Sequence, residues 1–432
     1  MTAKASSFPL LTEFLFGSPT AFHAADFLGN LLREQGFQLL DPREEWRLEP
    51  RKGYFLFRNG SSLVAFRTPK ATAEPGELRL SVAHTDSPCL KLRLKDAKQQ
   101  DKELLRIPVE VYGGATIPTW LDRPLRLAGR MAARDKEGAS RIVVVDSQAP
   151  VATIPNPPIH LANLNDGFHY NPQTQLAAFF PARNLKNVLR SLLPRDLEPD
   201  GDAPLAELYL VDAGVHTVLR DLVQSPRLDN LVSCYALAGA LCDPGTLPDN
   251  VLAMGGFFDL EETGLNYQSA GSDFLHSLLE RVTAVLWPKH PQALPRLLGN
   301  SLCVSLDVAH AFHPNFPELF VEEDAPKMGH GPALKFHANQ NYSTVLPAAQ
   351  HLRLLAEKYG LPLQTFTPRS GAPCGSTIGR IVSGALGIPS ADVGTPLWAM
   401  HSARETGSLR DTESLQSLLA AFFQDDGPLP PQ

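Results

Sequence analysis

Apolar, strand-like runs in this chain end repeatedly on an acid or a histidine. LRLSVAH closes on His84, VLAMGGFFD leads into Glu261 and Glu262, and SLCVSLD closes on Asp307. A run that apolar is a strand buried on both faces, which requires helices above and below a largely parallel sheet. In such open sheets, groups at the carboxyl ends of neighbouring strands gather along one edge. Carboxylates there are costly to desolvate unless a cation or hydrogen-bond donors compensate them.

The rest of the chain agrees with that class. SPTAFHAADFLGNLLREQGF is expected to be an amphipathic helix, with Ser18 as its N-cap and Gly36 as its stop. Asn59-Gly60 between YFLFR and SSLVAF predicts a tight hairpin. LDNLVSCYALAGALCD, SDFLHSLLERVTAVL and LPAAQHLRLLAEKYG carry helical spacing. Between residues 92 and 215 the texture changes to short alternating segments such as VEVYGG and RIVVVD, broken by the Pro/Asn-rich IPNPPIHLANLNDG. That spacing predicts a β-rich insertion, leaving residues 1–91 and 216–432 as the main α/β domain. A chain of 432 residues has room for both.

Composition excludes several partners. The net charge is −7 and no Lys/Arg tract stands out, so neither nucleic acid nor an anionic membrane is expected. No apolar run reaches the roughly 18 residues of a membrane span, and a cytoplasmic protein is the simplest expectation. The five cysteines have no Cys-x-x-Cys spacing, so reduced and mostly buried thiols are expected. Cys374, in GAPCGSTIG, has no His/Asn pairing that would make it a nucleophile. No phosphate-binding glycine motif occurs.

The acids and histidines suggest a shared metal centre. His84-x-Asp86 on an extended segment places both side chains on one face, so Asp86 can orient the ring while His84 binds an ion. Asp229, in SPRLDN, can offer one oxygen to each of two cations, with His84 and Asp307 on one and Glu262 and His401 on the other. Glu261, adjacent to Glu262 but pointing elsewhere, is then placed to act as a general base. Nitrogen and oxygen ligands without thiolate suit zinc, with manganese or cobalt as substitutes. Each residue also has a plainer reading. His84 with Asp86 makes a structural pair, Asp229 a helix cap, Glu261-Glu262 a solvated turn, and His401 a core histidine. His310 and His313 read as supporting groups rather than ligands.

The segments AHTDSPCLKLRLK, VYGGATIPTWLDRPLRLAGR, IPNPPIHLANLN, SPRLDNLVSCYAL, FFDLEETG, SLDVAHAFHPN, GAPCGSTIG and DVGTPLWAMHSARE together resemble the aspartyl aminopeptidase family of dinuclear zinc metallopeptidases. The resemblance implies a mixed-sheet zinc-peptidase domain with helices on both faces, interrupted by a β-rich dimerisation domain. It implies removal of N-terminal Asp or Glu from peptides by two zinc ions per subunit. His84, Asp229, Glu262, Asp307 and His401 would be the ligands and Glu261 the base. It further implies that His160 steadies the oxyanion from a neighbouring subunit, that Lys335 lies near the substrate, and that dimers assemble into a dodecamer. One segment departs from the family: DLEETG has Leu260 and Thr263 where a small polar residue and Val are expected, which bears on substrate preference. Two other functions use the same ligands: a two-metal amidase or deacylase of small acylated compounds, and a non-catalytic metal-binding assembly protein.

Overall fold

Side chains alternate between two apolar layers along the strands of the main sheet. Leu63 and Ala65 face one layer and Val64 and Phe66 the other; Ala253 and Phe257 likewise oppose Met254 and Phe258. The structure is a computed structural model describing residues 8–70, 73–162, 167, 169–201, 204–372 and 374–430. Among these, nine strands form the sheet in the order Gln38–Leu39, Gly53–Arg58, Ser62–Arg67, Val251–Phe258, Glu77–His84, Ser301–Leu306, Ser390–Gly394, Ala333–Lys335 and Gln364–Phe366. The four from Val251–Phe258 to Ser390–Gly394 are mutually parallel, so their carboxyl ends share an edge.

Helices cover both faces. Ala21–Glu34, Leu228–Cys242, Leu346–Tyr359 and Leu409–Gln424 supply Leu28, Leu237, Leu352 and Leu419 to one layer. Phe274–Leu286, Ala293–Leu298 and Ile378–Leu386 supply Leu279, Leu297 and Val382 to the other. The expected α/β class, with helices on both faces of a mixed sheet, is the one observed.

Local signals hold in most places. Asn59 and Gly60 both take positive φ between the antiparallel strands Gly53–Arg58 and Ser62–Arg67. Gly36, at φ 81°, follows the first long helix. Ser18 is not its cap, however; the helix begins at Ala21, with Thr20 at the cap position. Pro19 and Thr20 extend the chain beyond Ser18, whose buried hydroxyl has no hydrogen-bond partner.

A second sheet of eight strands, all paired antiparallel, lies within Cys89–Asp212 and surrounds its own cluster of Leu90, Ile107, Leu127, Phe180, Leu189 and Leu210. Its first strand, Cys89–Leu92, straddles the boundary expected at residue 91. All five cysteines are free; Cys89, Cys234 and Cys303 are buried, and Cys242 and Cys374 partly so. No described helix is long and apolar enough to cross a membrane.

Candidate metal centre

The parallel strands deliver the acids and histidines to one edge. His84 is the last residue of its strand and pairs in register with Phe258, the last of the neighbouring one. Glu261 and Glu262 follow within four residues, and Asp307 follows directly on Leu306. Gly394 ends the next strand and passes against Asp307, where a Cβ would lie 1.6 Å from the Asp307 carbonyl oxygen. Any larger residue there would displace that segment. The chain then runs through Pro396–Leu397 to His401, which sits at φ 65°.

Asp229 stands at the centre, 2% exposed. It lies in a kink before the regular part of Leu228–Cys242, at φ −76° and ψ 103°, and does not cap that helix, because its carboxylate faces two imidazoles instead of the helix N–H groups. Its Oδ1 faces His84 Nε2 at 3.3 Å, and the same nitrogen is 3.6 Å from Asp307 Oδ1. Its Oδ2 faces His401 Nε2 at 3.2 Å, with Glu262 Oε1 3.4 Å from that nitrogen. Two triads therefore share Asp229, and Glu261 is grouped with His84 and Glu262 beside them.

These groups fit divalent ions. Ligands about 2.0–2.1 Å from zinc in a tetrahedron stand about 3.3 Å from one another, close to the separations above. Asp229 Oδ1 is buried with no aligned hydrogen-bond donor although the His84 ring faces it, as expected of two ligands of one ion. Charge points the same way. Burial, reinforced by neighbouring carboxylates and partly offset by His84, pushes Glu261 up to about 8 and Glu262 up to about 9. Burial disfavours charge on His84 and His401, yet the facing carboxylates raise both, His401 to about 10. Asp229 is lowered despite its burial because both imidazoles face it. A site whose two glutamates are pushed toward protonation while its imidazoles are pushed toward charge lacks positive charge, which divalent ions would supply.

Asp86 makes more contacts than the His-x-Asp spacing suggests. His84 Nδ1 is 3.2 Å from the Asp86 carbonyl oxygen and 3.5 Å from its carboxylate. The carboxylate instead accepts the backbone N–H groups of Glu261 and Glu262, at 3.2 and 3.1 Å, and the Tyr112 hydroxyl at 2.8 Å. It thereby orients the glutamate pair as well as the His84 segment. Glu405 plays a matching part for the other triad and was not singled out by sequence. Buried, it accepts the N–H of Asp229 at 2.9 Å and that of His401 at 2.8 Å. Its signal was an acid four residues after His401 in HSARE. Glu405→Ala is expected to weaken metal affinity about 10- to 100-fold, measured by competition with a chromogenic chelator.

His401 is also held by the chain of the second sheet. Its Nδ1 is 3.2 Å from the Gly114 carbonyl, its own carbonyl accepts the Thr116 N–H at 2.9 Å, and the Ala403 N–H donates to Thr119 Oγ1 at 2.9 Å. Lys335 is 1% exposed, with Nζ 3.3 Å from Asp307 Oδ2 and 3.1 Å from the Val308 carbonyl, beneath the Tyr342 ring. Arg404 is not in the cleft; its guanidinium forks onto Asp212 at 2.6 and 2.8 Å. His160 lies exposed on its loop and is not among the residues lining the 450 Å³ cleft of its own chain. His310 lines that cleft beside the ligands, whereas His313 packs against Phe316 and Trp398.

Residues 14–423 match the family described as Aminopeptidase I zinc metalloprotease (M18). The chain belongs to the M18 family. A probable M18 family aminopeptidase 2 of Pseudomonas fluorescens is 38% identical over 424 residues, covering 96% of this chain and 97% of that protein. One from Azotobacter vinelandii is 37% identical with the same coverage. Among solved structures, the Ape4 and Nbr1 complex matches with a TM-score of 0.90 at 32% identity, covering 96% of this chain and 84% of that one. Chaetomium thermophilum mApe1 matches at 0.85 and 28%, covering 96% of each. The Saccharomyces cerevisiae mApe1 dodecamer, at 0.82 and 24%, covering 96% and 95%, shares the fold. As a member of the M18 family, the protein is a peptide hydrolase of the aminopeptidase class.

The departure noted before the glutamates has a backbone consequence within this family. Leu260 takes φ 67°, a left-handed conformation that a Cβ-bearing residue enters at a cost of about 1–2 kcal/mol and Asn more readily. Leu260→Asn is therefore expected to raise stability by about 1 kcal/mol, visible as a higher unfolding midpoint in urea.

Proposed function

We propose that this aminopeptidase removes N-terminal Asp or Glu from peptides with two zinc ions per subunit, manganese or cobalt being able to substitute. The observation that carries the two-ion reading is Asp229, whose two oxygens face two separate triads. His84, Asp307 and Asp229 would hold one ion; His401, Glu262 and Asp229 the other. Bound there, the ions would polarise the scissile carbonyl and acidify a water.

The chain's own residues do the rest. Glu261 takes a proton from water and hands it to the departing amine nitrogen; it is a largely buried carboxyl whose negative charge the bound ions would favour. Asp86 fixes the Glu261 backbone through its N–H and so aims the base. Lys335 has two of its three donor directions directed at Asp307 and Val308, leaving one for a substrate carboxylate. A buried acidic side chain needs such a cation. His160 steadies the oxyanion in a neighbouring subunit's cleft; its exposed position, away from its own cleft, supports that assignment. The second sheet would form dimers that build to a dodecamer, in a cytoplasmic enzyme.

A panel of aminoacyl chromogenic amides, read with and without chelator, tests this reading. Asp and Glu amides should turn over at least about tenfold faster than Leu and Ala amides, and chelator should stop all four. Equal rates for Glu and Leu would remove the acidic preference. Cleavage of acyl-blocked substrates at comparable rates would favour the amidase reading.

A further inference from the structure

Beside the acidic cleft lies a hollow of about 360 Å³ with a different chemistry. Phe316, Leu319, Phe320, Phe366, Leu397 and Trp398 are large apolar side chains of its wall. The hollow and the cleft share His310 and Met400. Those two residues are not independent of the metal ligands. Ala309–His310 pairs in parallel with Pro396–Leu397, so one short ribbon leads from Asp307 on one strand and toward His401 on the other. The far wall is fixed too: Trp398 Nε1 donates to the Phe312 carbonyl at 2.8 Å and its indole packs on His313.

We infer that this hollow receives the side chain of the substrate's second residue, the one released from the scissile bond, and that it selects apolar side chains there. The inference rests on the reading that the first residue is acidic and turns toward Lys335. Neither Lys335 nor Tyr342 lines the hollow. An acidic side chain placed in it would give up water without meeting that buried ammonium, whereas an apolar one gains from leaving water. Arg369 also lines the hollow, where one of its N–H groups donates to the Glu318 carbonyl at 2.7 Å. Continuity through His310 and Met400 makes the hollow reachable from a peptide bond lying across the acids.

The test is kcat/KM on Asp-Phe, Asp-Leu, Asp-Ala and Asp-Gly, and on the same four with Leu first. Asp-Phe and Asp-Leu should exceed Asp-Gly by about tenfold or more. Leu319→Asp and, separately, Phe316→Ser should bring that ratio down to about one; both side chains are half exposed, so the fold should tolerate the changes. A flat series in the unaltered protein overturns the inference. So does a series in which the variants change preference for the first residue but not the second. If Leu-first and Asp-first peptides are cut equally, yet the apolar second residue still wins and the variants erase it, the acidic reading fails and the hollow's assignment stands.

Discussion

An Asp229→Asn variant should retain at most about one zinc ion per chain and lose at least about a thousandfold in turnover. The reason is specific to the position. Each carboxylate oxygen faces a different imidazole, at 3.3 and 3.2 Å, and an amide keeps only one oxygen. Its NH2 group would direct protons at whichever triad lost the oxygen, where Asp307 or Glu262 could accept them but no cation could bind. Metal content by atomic absorption, read alongside turnover, checks this. Full occupancy with two ions in the variant would remove Asp229 from the bridging role, whatever the rate.

Glu261→Gln should do something different. Zinc content should remain near that of the unaltered protein while turnover falls at least about a hundredfold. The Glu261 N–H would still donate to Asp86 and the side-chain volume would barely change, so only the proton acceptor is lost. Comparing the two variants separates holding metal from moving protons. Normal turnover in Glu261→Gln would refute its assignment as base, and loss of metal would make it a ligand.

Much of this was legible in the chain because strand ends are marked by chemistry. A buried apolar run that stops at His84 or Asp307 announces both the strand and the edge where it ends. The Asn59-Gly60 turn and the Gly36 stop were readable for equally local reasons, since each depends on one backbone conformation. What escaped were partnerships set by the fold. Glu405 faces Asp229 across 176 residues and Tyr112 reaches Asp86 from the second sheet. No spacing rule links such pairs. Asp86 shows a different limit: its proximity to His84 was readable, but not that its carboxylate would be taken up by the Glu261 and Glu262 amides. Ser18 failed as a cap because a favourable residue type says nothing about where the preceding chain must go.

The grip of Gly114, Thr116 and Thr119 on the His401 loop carries a lesson for anyone who would trim this enzyme. The polypeptide that separates the two halves of the catalytic sheet is not a detachable handle. Cut out and replaced by a short turn, it would take with it the backing of one imidazole and the Tyr112 hydroxyl that Asp86 accepts, while His84 and Asp307 would keep their places at the ends of their own strands. A miniaturised version would then be a lopsided, single-ion protein rather than a smaller copy of the same catalyst.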